Sequence, residues 1–409
     1  MSGSTRLRPL AILLSLALVC AVAAAQGGPD EPPILILVSF DGWRWDYIDR
    51  QPAPNLKALA ARGVRARALI PSYPVLTFPN HYAIVTGLYP AHHGVVANSM
   101  RDPSMPDRFS MSAETSKDSR WWGGEPLWVT AIRQGRRAST MFWPGSEVEI
   151  RGVRPTHWVP FDQKVSSPDR VAQALTWLAL PAAERPSFVS LYFDEVDTAG
   201  HDFGPDSPEL ATAARHLDEA LGQVIAGVRA LHLDDRTSIA VVSDHGMTPQ
   251  SYDRVIYLDA LIDLSTVEIL ESGASLHLAP RDGDVEGLYR RLHGKHPRLA
   301  IYKRGDVPAR LHYRDNPRLP PIVGIPDEGW TVTSGQRLME SELHVGAHGY
   351  TPTTPDMGAL FVAAGPQLRR GLVVAPFENV HVYDLLCRLL NITPARNDGR
   401  SSVTRGFLK

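Results

Sequence analysis

Short, unbroken apolar runs alternate along this chain with longer stretches in which apolar residues recur at every third or fourth position. "ILILVSFDG" (Ile34–Gly42) is a continuous apolar run ending in an acid. Such a run suits a strand buried on both faces of a parallel sheet. "PNLKALAARG" reads as a helix stopped at Gly63. "SFVSLYFDEVD" (Ser187–Asp197) is a second strand ending in acids. In the helix that follows it, Ser207 caps, Pro208 takes the first turn, and Leu210, Ala214, Leu217, Leu221, Ile225 and Val228 share a face. "SIAVVSDHGM" (Ser238–Met247) is a third strand, ending in Asp-His-Gly, and "ALFVAAGP" (Ala359–Pro366) a fourth. The alternation predicts an α/β sandwich around a mostly parallel sheet. Between about Ser251 and Gly346 the rhythm loosens. Short strands ("SLHLAP", "LAIYKR") flank a helix ("EGLYRRLHG"), prolines cluster in "NPRLPPIVGIP", and the stretch reads as a small α+β insertion. Residues from about Asn98 to Glu125 read as a long surface excursion.

The N-terminus changes the picture of where the chain works. "MSGSTRLRPLAILLSLALVCAVAAAQ" sets Arg6 and Arg8 before an apolar run to Val22 and small residues at Ala23–Ala25. This predicts a signal peptide over residues 1–25 and a periplasmic or secreted chain. The run is short for a membrane helix of roughly 20 residues, so no stable span is expected after its removal; an uncleaved anchor is the rival reading. Val19 is too bulky for lipoprotein processing at Cys20. With Cys20 removed, Cys387 has no partner, so the exported fold has no intramolecular disulfide and must stand on its core, helped by any bound metal. The 409 residues carry a net charge of −2, which argues against a nucleic-acid groove. A small anionic substrate would need local cations.

The predicted strand exits hold the candidate chemistry: Asp41, Asp194 with Asp197, and Asp244-His245. Ligands of open α/β sheets gather at the carboxyl ends of strands. Carboxylates brought together there repel, burial worsens the repulsion, and a divalent cation relieves both. Asp197 and His201 are four apart, although Gly200 between them weakens a helical pairing. Asp and His together suit zinc. His348 in "AHGY" is a further candidate and His344 its rival. Each also has an ordinary reading as a turn residue, a polar strand exit or a loop ion pair. In "PVLTFPNHYAIVTG" (Pro74–Gly87), Thr77 at the apparent start of a helix is either a cap or a nucleophile.

"FDGWRWDY", "TFPNHYAIVTGLYPAHHGVVANSMRDP", "FWPGSE", "DEVDTAGHDFGP", "VVSDHGM" and "GAHGY", in this order and spacing, resemble the nucleotide pyrophosphatase/phosphodiesterase family of the alkaline phosphatase superfamily. The resemblance runs from about Pro33 to near the C-terminus, and the chain is read as a bacterial exported member. It implies an alkaline-phosphatase-like α/β/α sandwich, with residues 33–409 as the catalytic domain and the insertion near 251–346. It further implies two zinc ions per chain, one held by Asp197, His201 and His348, the other by Asp41, Asp244, His245 and the Thr77 oxygen. His344 is then not a ligand, and Asp194 is left out of the site. Thr77 becomes the nucleophile of a covalent nucleotidyl-threonine, and Asn98 binds a non-bridging phosphate oxygen. A helix start suits a phosphate as well as a cap, so the two readings of Thr77 are compatible.

The same resemblance implies hydrolysis of nucleotide diester or pyrophosphate bonds, with release of nucleoside 5′-monophosphates. The partner is then a small nucleotide, a nucleoside triphosphate or a nucleotide diester. Phe78 would stack on one side of the base. Phe161 falls where many members carry tyrosine, which keeps stacking and loses any phenol hydrogen bond. Tyr192 matches a family tyrosine near the site. A phosphomonoesterase would need extra cations, for which Lys164 and Arg154 are the candidates. A lipid-headgroup phosphodiesterase would need an anionic pocket, and "TFPNH" does not fit a sulfatase. A non-catalytic binding protein would have lost some of these positions, and none is lost.

Overall fold

The computed structural model describes residues 31–409; the signal-peptide reading and Cys20 fall outside them. Ile34–Phe40 (β1) is buried at every position and pairs in parallel on both sides, as its unbroken apolar run requires. Its alternate residues face opposite ways. Leu35 and Leu37 join one core layer; Ile36, Val38 and Phe40 join the other. The sheet also contains Val64–Ala66 (β2), Ala138–Met141 (β3), His157–Val159 (β4), Phe188–Phe193 (β5), Thr237–Val242 (β6), Phe361–Ala364 (β7) and Leu372–Val374 (β8), in the order β8-β2-β7-β6-β1-β5-β3-β4. All its pairings are parallel except those of β7, which runs antiparallel to β2 and β6. With helices on both faces this is the alkaline-phosphatase-like α/β/α sandwich, its sheet mixed but mostly parallel.

Four helices position the site. Thr77–Thr86 (α1) lies in one layer. Ser167–Leu178 (α2), Glu195–Phe203 (α3) and Pro208–Ala230 (α4) flank the other. At the head of α4 the Ser207 side chain accepts the Leu210 amide and Pro208 takes the first turn, as the sequence predicts. At α1 the cap position belongs to Leu76, and Thr77 is the first helical residue with no side-chain cap at all. Its hydroxyl is therefore not used in closing the helix end. The helix instead closes at Gly87, whose φ of 67° is left-handed and suits glycine. Asp197 and His201 lie within α3, so Gly200 does not break the pairing. A Cβ there would lie 2.9 Å from Met247 Cε, the far end of a flexible side chain.

The looser region folds as an antiparallel sheet in the order Val267–Glu271, Leu276–Pro280, Ile322–Pro326, Leu299–Lys303, covered by helix Val285–Leu292 over its own small core. "IVGIP" in the proline cluster is an interior strand of that sheet, paired on both sides. Its only proline is the last residue, where the ladder ends. The excursion after Asn98 is not loose. It forms the hairpin Ser99–Arg101/Arg108–Ser110 and buries Phe109, Trp121 and Trp122. Cys387 is a free, buried thiol. No helix among the described residues is long and apolar enough to cross a membrane.

The hairpin packs on the insertion through Arg101 to Glu268 (2.5 Å) and Arg108 Nη2 to the Leu270 carbonyl (2.7 Å). Beneath it Glu271 has a buried oxygen without a partner. Burial pushes its carboxyl up to about 7 from an ordinary 4.5, against the pull of Arg108, the amides of Ser272 and Ser99, and Arg337. An acid raised in the folded state adds stability below its unfolded pKa and loses it as pH rises through the folded one. Glu271→Gln should therefore leave the melting temperature unchanged near pH 4.5. At pH 8 it should raise stability by roughly 2–3 kcal/mol, read by calorimetry across that range.

Candidate metal centre and substrate cavity

Asp41 follows β1, Asp244 and His245 follow β6, Asp197 and His201 lie on α3 just after β5, and His348 comes from the segment beyond the insertion. The fold brings all of them to one rim of the sheet. His245 Nε2 is 3.0 Å from Asp244 and 3.4 Å from Asp41. Asp197 Oδ1 is 3.5 Å from His201 Nε2 and 3.7 Å from His348 Nε2. The His245 and His348 rings stack at 3.5 Å, so the two halves of the cluster touch.

The donor set fits cations. Asp41 Oδ1, Asp197 Oδ1 and Asp244 Oδ2 are buried with no hydrogen-bond partner, a costly arrangement for carboxylates. The Nδ1 atoms of His201, His245 and His348 point at the carbonyls of Gly346 (2.8 Å), Gly246 (2.9 Å) and Val75 (2.9 Å). A carbonyl only accepts, so each Nδ1 carries the proton and each Nε2 lone pair faces the cluster. Asp197, His245 and His348 bring one ligand atom each within 4.8 Å of one another, as do Asp41, His81 and Asp244. His81 is not free to ligate. Its Nδ1 donates to the Thr77 carbonyl (2.9 Å) and its Nε2 meets Ser39 Oγ at 2.7 Å. It is a buried brace for the Thr77 turn. The sequence carried that signal, because His81 is four residues after Thr77 and so on the same helix face.

Electrostatics without an ion show the strain. Burial raises the Asp41 carboxyl well above the usual range, and the Asp244 and Asp197 carboxylates raise it further. Burial also opposes ionisation of Asp244, but His245 and His81 outweigh it and hold that group well below the range. Burial, then His245 and His201, push His348 well down. The cluster thus disfavours full ionisation by itself and would accept it around positive charge.

Thr77 Oγ1 lies 3.5 Å from His245 Nε2, and the next amide, of Phe78, donates to Asn98 Oδ1 at 3.0 Å. From here a cavity of about 480 Å³ opens, lined by Thr77, Phe78, Trp122, Phe142, Phe161 and Tyr192 among others. Phe78 is backed by Phe109 and Trp122, each ring at 6.0 Å. Phe161 is 48% exposed. Tyr192 lines the cavity, but its hydroxyl is committed to Asp41 Oδ2 at 2.6 Å. Lys117 is the cation among the lining residues, and Glu114 pairs with it at 2.7 Å. Neither Lys164 nor Arg154 lines the cavity. Asp194 turns away to Arg170 at 2.8 Å, and His344 stands outside, 3.9 Å from Asp202. Trp122, Phe142 and Lys117 are walls that sequence reasoning missed. Only "FWPGSE", quoted for its resemblance, pointed to one of them.

Comparison with known proteins agrees with this geometry. The family described as type I phosphodiesterase/nucleotide pyrophosphatase matches residues 35–351. Human ectonucleotide pyrophosphatase/phosphodiesterase family member 5 is 36% identical over 372 residues, covering 91% of this chain and 77% of its own. A venom phosphodiesterase of Crotalus durissus collilineatus is 37% identical over 402 residues; the chain spans about half of that protein, 48%. Among solved structures, an inactive threonine-to-alanine variant of murine ectonucleotide pyrophosphatase/phosphodiesterase 5 in complex with AMP superposes with a TM-score of 0.88 at 34% identity, over 93% of this chain and all of that one.

Tyr192 braces a carboxylate whose other oxygen faces the cluster. Tyr192→Phe should weaken divalent-metal affinity roughly 10- to 100-fold, measured by competition with a chelator, with the fold unchanged by circular dichroism.

Proposed function

Because the chain belongs to the type I phosphodiesterase/nucleotide pyrophosphatase family, a class of phosphoric diester hydrolases, we propose that residues 33–409 form the catalytic domain of an exported, two-zinc enzyme releasing nucleoside 5′-monophosphates through a nucleotidyl-Thr77 intermediate. The observation that carries this reading is Thr77 Oγ1, free of any capping role, set beside three carboxylates with unpartnered oxygens and three imidazoles with inward Nε2 atoms. Asp197, His201 and His348 would hold one zinc; Asp41, Asp244, His245 and Thr77 the other. When bound, the pair supplies Lewis acidity, charge against the phosphate oxygens and acidity for a neighbouring hydroxyl.

The chain's own residues do the rest. Thr77 Oγ forms the bond to phosphorus as the leaving oxygen departs, giving the nucleotidyl-threonine. Water then breaks the Oγ–P bond and frees the 5′-monophosphate. The N-terminus of α1 would set its positive dipole end against the phosphate, although Pro79 brings no N–H and the Phe78 N–H is given to Asn98 Oδ1. The Asn98 side-chain oxygen accepts from the Phe78 amide, and its NH2 would donate to a non-bridging oxygen. The base would stack between Phe78 and Phe161. The variant relative bound to AMP, inactive on losing a threonine, supports both the role of Thr77 and a nucleotide in the cavity. A monoester dianion is the poorer fit, since the one lining lysine is already paired with Glu114. Export rests on the leader-like N-terminus; the relatives named above are animal proteins and give the bacterial reading no support.

With zinc present, the p-nitrophenyl ester of thymidine 5′-monophosphate should be cleaved far faster than p-nitrophenyl phosphate. Thr77→Ala should lower that rate roughly 10³-fold or more, and chelation should abolish it. Preference for the monoester would move the chain to a phosphatase reading. A rapid Thr77→Ala enzyme would remove the covalent step. No turnover of either ester would favour a lipid diester or a binding protein.

A further inference from the structure

We propose that Arg170, buried beneath the cavity, is a positioning residue that fixes the Phe161 wall and thereby sets how well the base-carrying half of the substrate is held; this rests on the nucleotide reading above. Arg170 lies in the first turns of α2 and is 2% exposed. Its Nε donates to the Val165 carbonyl (2.9 Å), and Nη1 donates to the Tyr192 carbonyl (3.0 Å) and to Asp194 Oδ1 (2.8 Å). Its guanidinium lies 5.0 Å from the Phe142 ring centre and 5.8 Å from that of Phe193. One side chain thus joins three strand exits. Phe142 follows β3, Val165 ends the loop that carries Phe161 after β4, and Tyr192 and Asp194 close β5.

Phe161 depends on those exits. Its ring meets Phe142 edge-on at 5.4 Å and Tyr192 edge-on at 5.9 Å. Both supports are in contact with Arg170. Phe142 has a φ of 67°, a region unfavourable for a bulky L side chain that persists only where neighbours over-determine it. The cation on its ring is one such restraint. An ion pair serving stability alone would need only Asp194. Arg170 instead spends further N–H groups on the two backbone segments that carry the walls, a reach that the planar fork allows and a lysine ammonium does not.

The test uses the full chain with zinc and two diesters sharing p-nitrophenol as leaving group. One carries thymidine on the other ester oxygen; the other carries methyl and has no base. Arg170→Lys keeps a charge opposite Asp194. It should raise KM for the thymidine ester roughly tenfold, the scale of a weakened base stack, while kcat/KM for the methyl ester stays within about twofold. The dissociation constant of thymidine 5′-monophosphate should rise in parallel. Arg170→Met combined with Asp194→Asn, which leaves no lone buried charge, should give the same one-sided change and decides the matter if the lysine variant does not fold. Equal losses on both esters, or no loss on either, overturn the proposal. A wild-type chain that takes the two esters equally well overturns the nucleotide reading instead, and takes this proposal with it.

Discussion

Three carboxylates, Asp41, Asp197 and Asp244, converge at one rim of the sheet, each with a buried oxygen that no protein group satisfies. Much of the surrounding structure answers that constraint. Left alone, such a cluster is pushed toward neutrality, and Asp41 shows it. Each neighbouring imidazole gives its proton-bearing nitrogen to a backbone carbonyl and turns the other inward. The protein holds its carboxylate oxygens and its imidazole lone pairs in position before any cation arrives, which removes reorganisation from the binding event. The Tyr192 hydroxyl on Asp41 and His81 beneath Thr77 extend the same arrangement one layer outward.

The sheet makes this possible. Parallel strands end together on one rim, so residues far apart in the chain meet without long loops. β1 delivers Asp41 and β6 delivers Asp244 and His245. β5 delivers α3, whose first turn carries Asp197 and whose second carries His201. Because β5 and β6 flank β1 on either side, their exits lie along one stretch of the rim. The insertion lies between β6 and the segment that returns His348 to the same rim. Its sheet also supports the hairpin after Asn98, so a region remote from the metal residues backs one side of the cavity.

Substrate choice is built separately from the metal cluster. The walls are largely aromatic, and the one lining lysine, Lys117, shares the lining with Glu114 and Glu147. In the proposed reading, shape and stacking, more than charge, decide what enters, and the phosphate would be handled at the rim. The aromatic walls rise from strand exits bound together from below, and the buried Arg170 is where they join.

The strands, α4 with its cap, and the acids and histidines gathered at the strand ends were legible because they rest on local rules. A strand buried on both faces must be apolar throughout, and a carboxylate at its end is visible in one line of sequence. Asp197 and His201 were legible as a pair, yet Gly200 obscured the helix that joins them, since propensity is a weak prior that tertiary packing overrides. "IVGIP" was hidden because its prolines flank the strand without interrupting it. His81 was legible only as a same-face neighbour of Thr77, and the roles of Trp122, Phe142 and Arg170 follow from no local rule, for each is defined by partners distant in the chain. The sequence by itself determined which chemical groups are available and that they sit at strand ends. Only the tertiary structure decided which nitrogen each imidazole presents, that the Thr77 hydroxyl is spared from capping, and which buried cation holds the cavity walls, because those are settled by backbone carbonyls and ring faces that no local pattern encodes.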